Sequence, residues 1–294
     1  MTAFKRNENI KCYICESHTF VKRSGTVRDR NDIDILECQN CGLVFLSSSS
    51  HVNESFYSES GMHGEDLISI DSWLKDTEKD DERRFRFLES KLINRSVLDF
   101  GCGVGGFLLK ASKVAKLYQG IELEKRLQLH FKQNNLEVFT SLKEANNQNI
   151  KFDIVTAFHV IEHIEDPISI INQLMQLLGE RGELIIEVPS SNDALLTLYE
   201  SVEFSRFTYW SNHLYLFNHY TLQKLVQKSH LKLNWIKQIQ RYPLSNHLHW
   251  LSKGRPAGHK VWSFLDNESL TKEYEFALAS AGFCDTIIAS VSQK

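Results

Sequence analysis

The chain has 294 residues, 42% of them apolar and 24% charged, which suits one large globular domain plus a small one, or two ordinary domains. No stretch approaches the roughly 18 apolar residues of a membrane span. The polar start lacks an apolar signal region, so a cytoplasmic protein without a membrane partner is expected. The net charge of −3 says less than its distribution. Residues 204–260 hold nine Lys/Arg, six of the twelve His and no Asp/Glu, against 25 basic and 37 acidic residues elsewhere. A stretch this one-sided attracts an anionic ligand, unless it is a solvated basic face or meets the chain's own acidic segment 54–89.

Four of the six cysteines form Cys12-x-x-Cys15 and Cys38-x-x-Cys41, separated by 22 residues. Two such turns can offer four thiolates to one tetrahedral Zn2+, and a closed four-sulfur shell leaves no position for reacting water. The expectation is a structural zinc ribbon over residues 1–50, with the metal supplying folding free energy that so short a segment lacks. Two disulfides would require an oxidising compartment. The ribbon's Lys11, Lys22, Arg23, Arg28 and Arg30 are interleaved with acids, so nucleic acid is not the expected partner. Residues 51–91 read as a linker and a charged helix (77–91) covering an active site, with Arg83 and Arg84 on a solvated face.

A buried-strand pattern at Ser96–Phe100 precedes Gly101-Cys102-Gly103-Val104-Gly105-Gly106 and a helix at 107–114. Strand, glycine loop and helix in that order make a nucleotide-binding turn. No Gly-Lys-Ser/Thr follows, which excludes a P-loop. Asp99, two residues before the loop, would repel a pyrophosphate and favour an ammonium group. The next strand, 117–123, ends at Glu122, about 20 residues after the loop, where a carboxylate can accept from two ribose hydroxyls. Cys102 and Cys284 read as small buried residues. Further strands are expected at 152–158, 182–189, 231–240 and 285–291. Helices are expected at 166–178, ending before Gly179, and at 221–229, with Thr221 as N-cap. This alternation implies a mainly parallel sheet covered on both faces.

Over about residues 92–233 these motifs, with His159-Val160-Ile161-Glu162-His163-Ile164-Glu165-Asp166-Pro167, resemble class I S-adenosylmethionine-dependent methyltransferases. The resemblance implies an α/β, Rossmann-like, seven-stranded methyltransferase sheet, spanning 92–294. Its seventh strand (285–291) would be antiparallel and pair beside the sixth. Residues 241–284 would be a substrate-binding insertion. It assigns S-adenosyl-L-methionine to Asp99, Gly101 and Gly103 (methionine part), Glu122 and Leu123 (ribose), Ser141 and Leu142 (adenine), and Phe158 and His159 (sulfonium).

Tyr209-Trp210-Ser211-Asn212-His213 through Asn218 resembles a region of zinc-binding sugar C-methyltransferases, which also begin with a four-Cys module. That likeness implies His213 as catalytic base, with His163 the alternative. Asn212 stands where an acidic residue is usual, and the large C-terminal domain of those enzymes has no counterpart here, so O-methylation is expected ahead of N- or C-methylation. Tyr57, Tyr209, Asn212, His247, His249, Arg255 and His259 are the expected acceptor-binding residues. The expected acceptor is an anionic small molecule, a nucleotide-linked or phosphorylated sugar of surface-polysaccharide or natural-product biosynthesis. The protein would act as a monomer or homodimer. Two alternatives stay open: an RNA or tRNA methyltransferase docking through the ribbon, and a non-catalytic binding subunit.

Overall fold

The structure, a computed structural model, describes residues 10–52 and 69–294. In chain order its elements begin with β1 (Phe20–Lys22), β2 (Ile35–Cys38), β3 (Val44–Leu46), α1 (Ile70–Leu92), β4 (Ser96–Phe100), α2 (Gly106–Ala111) and β5 (Leu117–Ile121). Next come α3 (Gln128–Gln133), β6 (Glu137–Phe139), α4 (Leu142–Asn147), β7 (Phe152–Phe158), α5 (Pro167–Leu177) and β8 (Leu178–Pro189). The chain continues through α6 (Ala194–Thr197), α7 (Val202–Phe207), β9 (Tyr215–Leu216), α8 (His219–Lys228) and β10 (Lys232–Ile239). It ends with α9 (Leu244–Lys253), α10 (Gly258–Val261), α11 (Glu268–Ala281) and β11 (Thr286–Ser292).

Seven strands pair in the order β10-β11-β8-β7-β4-β5-β6. The last strand thus sits between β10 and β8, beside the sixth as expected. β4 is parallel to both β5 and β7, with Asp99 opposite Gly120 and Thr156. Val97, Leu98, Val155 and Ala157 are fully buried, as central parallel strands with covered faces require. α5 starts as the sequence implies: Asp166 accepts from the Ser169 N–H at 3.2 Å and Pro167 follows. Several boundaries differ: α1 begins at Ile70, ahead of the expected 77, and α2 ends at Ala111, short of the expected 114. α8 is capped by Asn218, with Thr221 completing a reciprocal capping box three residues inside; the hydroxyl of Thr221 is the second half of a cap that begins earlier. After α5, Leu178 and Gly179 already belong to β8.

By contacts the chain divides into two units. One contains the residues up to Ser49, Glu162–Glu165 and Glu187–Ala289; the other contains Ser50–Ile161, Asp166–Ile186 and Ser290–Lys294. In the first, β1, β2 and β3 form an antiparallel ribbon, and β9 pairs with β3 through Val44↔Leu216 and Phe45↔Tyr215. Three short strands cannot cover their own apolar face. The borrowed fourth strand helps to bury Leu36, Leu43, Val44 and Leu216. The ribbon's cations are spent locally. Arg23 donates to the Ser191 carbonyl at 2.6 Å, Arg28 lies 3.8 Å over the Trp210 ring, and Arg30 pairs with Asp32 at 2.7 Å.

The 241–284 segment holds α9, α10 and α11, and a half-buried carboxylate anchors it. Asp285 accepts from the Arg241 and Tyr242 N–H groups, at 3.0 and 3.1 Å, and from Gln240 Nε2 at 2.9 Å. Nearby Asp193 caps α6 by accepting from the Leu195 N–H at 2.7 Å. Burial first, and the Asp285 charge second, push Asp193 up to about 8. A solvated Asp releases its proton near pH 3.9. A folded pKa above the unfolded one means that this contribution to stability is complete at low pH and is lost as pH rises toward about 8. Asp193→Asn keeps the cap without the proton. It should therefore melt above the parent at about pH 9 and close to it at about pH 5, read by thermal unfolding; parallel pH curves would rule this out.

Candidate functional site

The loop between β4 and α2 turns through left-handed backbone at Gly101 (φ +72°) and Gly103 (φ +53°), where a side chain is disfavoured. A Cβ on Gly101 would also stand 2.5 Å from Val160 Cγ2. Glu122 sets the loop's shape: its carboxylate accepts from the Gly103 N–H at 2.8 Å and the Glu124 N–H at 2.9 Å. Beneath the loop, Asp99 is buried and accepts from the Thr156 hydroxyl at 2.6 Å. Burial pushes Asp99 up to about 7, against the Thr156 hydrogen bond and the Arg84 charge. Glu122 is also raised, again chiefly by burial, while the backbone N–H groups pull it down. Cys102 packs against Gly120 and is buried, as its small size suggested.

α1 completes this site in a way the sequence reading missed. Its buried residues are Asp81, Arg84, Leu88 and Leu92, which recur at near-helical spacing along one stripe. Arg84 is 9% exposed, lies 4.7 Å over the Phe158 ring and pairs with Asp81 at 3.5 Å. It is therefore not on a solvated face, whereas half-buried Arg83 pairs with Asp80 at 3.2 Å. Trp73 lies 3.4 Å from where a Gly103 Cβ would be. The usable signal was the register of two charged residues on the helix's apolar stripe.

This donor set fits a zwitterion joined to a nucleoside. Asp99 is a buried carboxylate that an ammonium would hold ionised, and Arg84 is the buried cation that could receive a carboxylate. Glu122 keeps lone pairs for hydroxyls beyond its two backbone bonds. Phe158 stacks edge-on against Phe107 at 5.0 Å. His159, just past β7, is a non-glycine residue at φ +55°, an uncommon conformation that clusters at functional sites. Ser141 caps α4 by accepting from the Glu144 N–H at 3.2 Å, Leu142 begins that helix, and Leu123 is exposed.

The other unit gathers Glu162, His163 and His213, whose donor atoms all lie within 4.8 Å of one another. The two imidazoles meet edge-on with centroids 4.8 Å apart. His163 Nδ1 is 2.8 Å from the Asn212 carbonyl. A carbonyl only accepts, so Nδ1 carries the proton and Nε2 keeps its lone pair. Glu162 Oε1 is 3.9 Å from that Nε2. Asn212 thus takes part through its backbone, and Tyr209 is buried in the ribbon contact, its hydroxyl pushed up to about 12 by burial.

The remaining predicted acceptor residues lie on or beside α9. His247 and His249 are buried on that helix. His247 Nδ1 bonds the Tyr274 hydroxyl at 2.7 Å, Nε2 lies 3.2 Å from Gln240 Nε2, and burial pulls the ring down to about 4. His249 Nδ1 donates to the Arg255 carbonyl at 2.8 Å. The Arg255 side chain is exposed, and His259 is half-buried beside Asn246 and Tyr242. Tyr57 lies outside the described residues.

Cys12, Cys15, Cys38 and Cys41 converge, with sulfur–sulfur distances of 3.5 Å (Cys12–Cys41) and 3.4 Å (Cys15–Cys38). A tetrahedral zinc thiolate shell has sulfurs about 3.8 Å apart. The donor set fits one structural ion with little adjustment.

A parallel sheet whose last strand slips between the fifth and sixth, with an acid-flanked glycine loop after its first strand, defines a class I methyltransferase fold. The chain belongs to the methyltransferase-domain family, whose profile matches residues 74–234. Similar curated proteins include the ubiquinone biosynthesis O-methyltransferase of Haemophilus ducreyi, 32% identical over 120 residues, 35% of this chain and 50% of that protein. The enzyme of that name from Histophilus somni is 33% identical over 107 residues, 32% and 44% of the two chains. The chain spans about half the length of these curated relatives. Among solved structures, the magnesium protoporphyrin IX methyltransferase of Synechocystis superposes with a TM-score of 0.50 at 13% identity, over 84% of this chain and 100% of that one. That likeness is one of fold.

Two outcomes are expected of these sites. S-adenosylmethionine affinity, measured by calorimetry, should fall about tenfold per unit as pH drops below about 7, because the ammonium requires ionised Asp99. Asp99→Asn should bind weakly and without that slope, and a pH-independent parent would remove the pairing. Elemental analysis of reduced protein should find one zinc per chain. Chelation should lower the melting temperature and increase amide exchange in β3 and β9 together, because they share a ladder.

Proposed function

We propose that the chain catalyses S-adenosylmethionine-dependent O-methylation of a hydroxyl on an anionic small molecule, of the nucleotide-linked or phosphorylated sugar class. The observation that carries the methyl-transfer reading is the pair of carboxylates around the glycine loop, buried Asp99 below it and half-buried Glu122 gripping the Gly103 N–H. When bound, the cofactor supplies an electrophilic methyl group on a sulfonium leaving group. Asp99 holds the ammonium, Arg84 the carboxylate and Glu122 the ribose hydroxyls. The acid-free stretch 204–260 supports an acceptor with negative charge.

For the acceptor, the His163–His213 pair acts as the base. His163 Nε2 takes the hydroxyl proton, the Asn212 carbonyl holds the ring in the right tautomer, and Glu162 stabilises the imidazolium that forms. A positioned base of this kind contributes about 10²–10⁴-fold. A second reading is an acceptor of the kind handled in ubiquinone biosynthesis, which the names of the curated relatives favour. RNA docking through the ribbon is disfavoured because Arg23, Arg28 and Arg30 are engaged within the chain.

The test is turnover with a panel of nucleotide sugars, sugar phosphates, phenolic acceptors and RNA. Methylation of the sugars supports the first reading, of the phenols the second, and of RNA overturns both. Binding of the cofactor with no turnover would support a non-catalytic subunit. With the active acceptor, His163→Ala and His213→Ala should each lower kcat by about 10²-fold or more without weakening cofactor binding. Parent rates in both variants would remove the base assignment.

A further inference from the structure

α9 is amphipathic with its polarity reversed. It buries Ser245, Asn246, His247 and His249, together with Trp250. Leu248 and Leu251 are 38% and 46% exposed, and with half-buried Leu244 they recur at i, i+4 and i+7 along the opposite face. The polar groups are satisfied inside: His247 by Tyr274, His249 by the Arg255 carbonyl, Asn246 by the Gly258 N–H, and Ser245 by Asp266. These polar groups are thus engaged within the segment, while Leu248 and Leu251 face outward. Beyond the helix, Val261 (60%) and Phe264 (78%) are also exposed, and Tyr242 precedes it with the Arg241 guanidinium 5.6 Å from its ring.

The charge on this segment has one sign. Residues 241–265 contain Arg241, Lys253, Arg255 and Lys260 and no Asp or Glu. Acids that touch it include Asp285, which accepts from the Arg241 and Tyr242 N–H groups, Asp266, which accepts from Ser245, and Glu203, whose stem packs against Gly254. Exposed Leu, Phe and Tyr interleaved with Lys and Arg suit the boundary between acyl chains and anionic headgroups, where apolar burial and electrostatic attraction act together. A protein interface core, by contrast, is depleted in Lys. Among the described residues no helix is long and apolar enough to cross a membrane, so the mode is lying on the surface.

We propose that the outward face of α9 and the segment through Phe264 dock this protein on an anionic lipid surface. The surface is independent of the methyl-transfer reading, since none of its leucines enters that chemistry. The experiment is co-flotation of the full chain with vesicles of phosphatidylcholine alone and of phosphatidylcholine with an equal part of phosphatidylglycerol. The parent should float with the anionic vesicles, weakly with the neutral ones, and less as salt is raised. Leu248→Gln/Leu251→Gln, exposed and hence tolerated by the fold, should lower vesicle affinity about tenfold while leaving circular dichroism and turnover of a soluble acceptor unchanged. Lys253→Ser/Lys260→Ser should lower it comparably and flatten the salt dependence. No flotation with anionic vesicles, or flotation unaffected by the leucine pair, overturns the proposal. So does a parent dimer in sedimentation that the leucine pair dissociates, which would identify the face as a contact between copies of this chain.

Discussion

The cofactor half of the molecule depends on one electrostatic arrangement: a carboxylate buried beneath a glycine loop, with one buried arginine to balance it. The strand's parallel register puts Asp99 of β4 opposite Thr156, whose hydroxyl donates to it. A lone ionised carboxylate at that depth is unfavourable, so it binds a proton up to about 7. Arg84 offsets part of that cost from α1, and Asp81 in turn holds Arg84. The acidic groups around the loop thus outnumber the one buried arginine beside them, a balance that would favour a ligand carrying a cationic group.

Much of this was legible in the sequence because it rests on local rules. β4 and β7 have the bounds their apolar runs suggest, and Asp166-Pro167 announces α5. The four cysteines converge as their spacing requires. What was not legible depends on which side of an element faces inward. Arg84 reads as one charge among many on a charged helix, until its register with Leu88 and Leu92 puts it on the buried stripe. His247 and His249 read as acceptor-binding candidates in a basic stretch, yet the fold uses them as internal hydrogen-bonding groups. Composition counts residue types, whereas function here follows the facing of each side chain.

The reversed helix α9 shows the same point from the other direction. A sequence of alternating Leu, His, Ser and Asn gives no reason to place the polar members inside. The choice follows from what the neighbours offer. Tyr274, Gln240, Asp266, the Arg255 carbonyl and the Gly258 N–H supply partners for the buried polar side chains on one face. A buried polar group costs little once it is hydrogen-bonded, whereas two leucines left facing water are a continuing cost. A helix with this bias is stable only because the interior network holds it, and it leaves an apolar face directed outward.

The ribbon and the histidine pair are linked by chain geometry within one unit. β9 begins two residues after His213, and it pairs with β3, whose strand partner β2 ends at Cys38. The Leu46 N–H to Leu214 carbonyl bond, 3.1 Å, extends that ladder to the residue beside His213. The Tyr215 hydroxyl reaches the Glu165 carbonyl at 3.0 Å, two residues from His163. The cysteine-bearing turns thus hold a strand, and that strand fixes the backbone on which both imidazoles depend. The four-cysteine cluster can in this way govern where the two imidazoles stand, because a strand of two residues has no register without the sheet it completes.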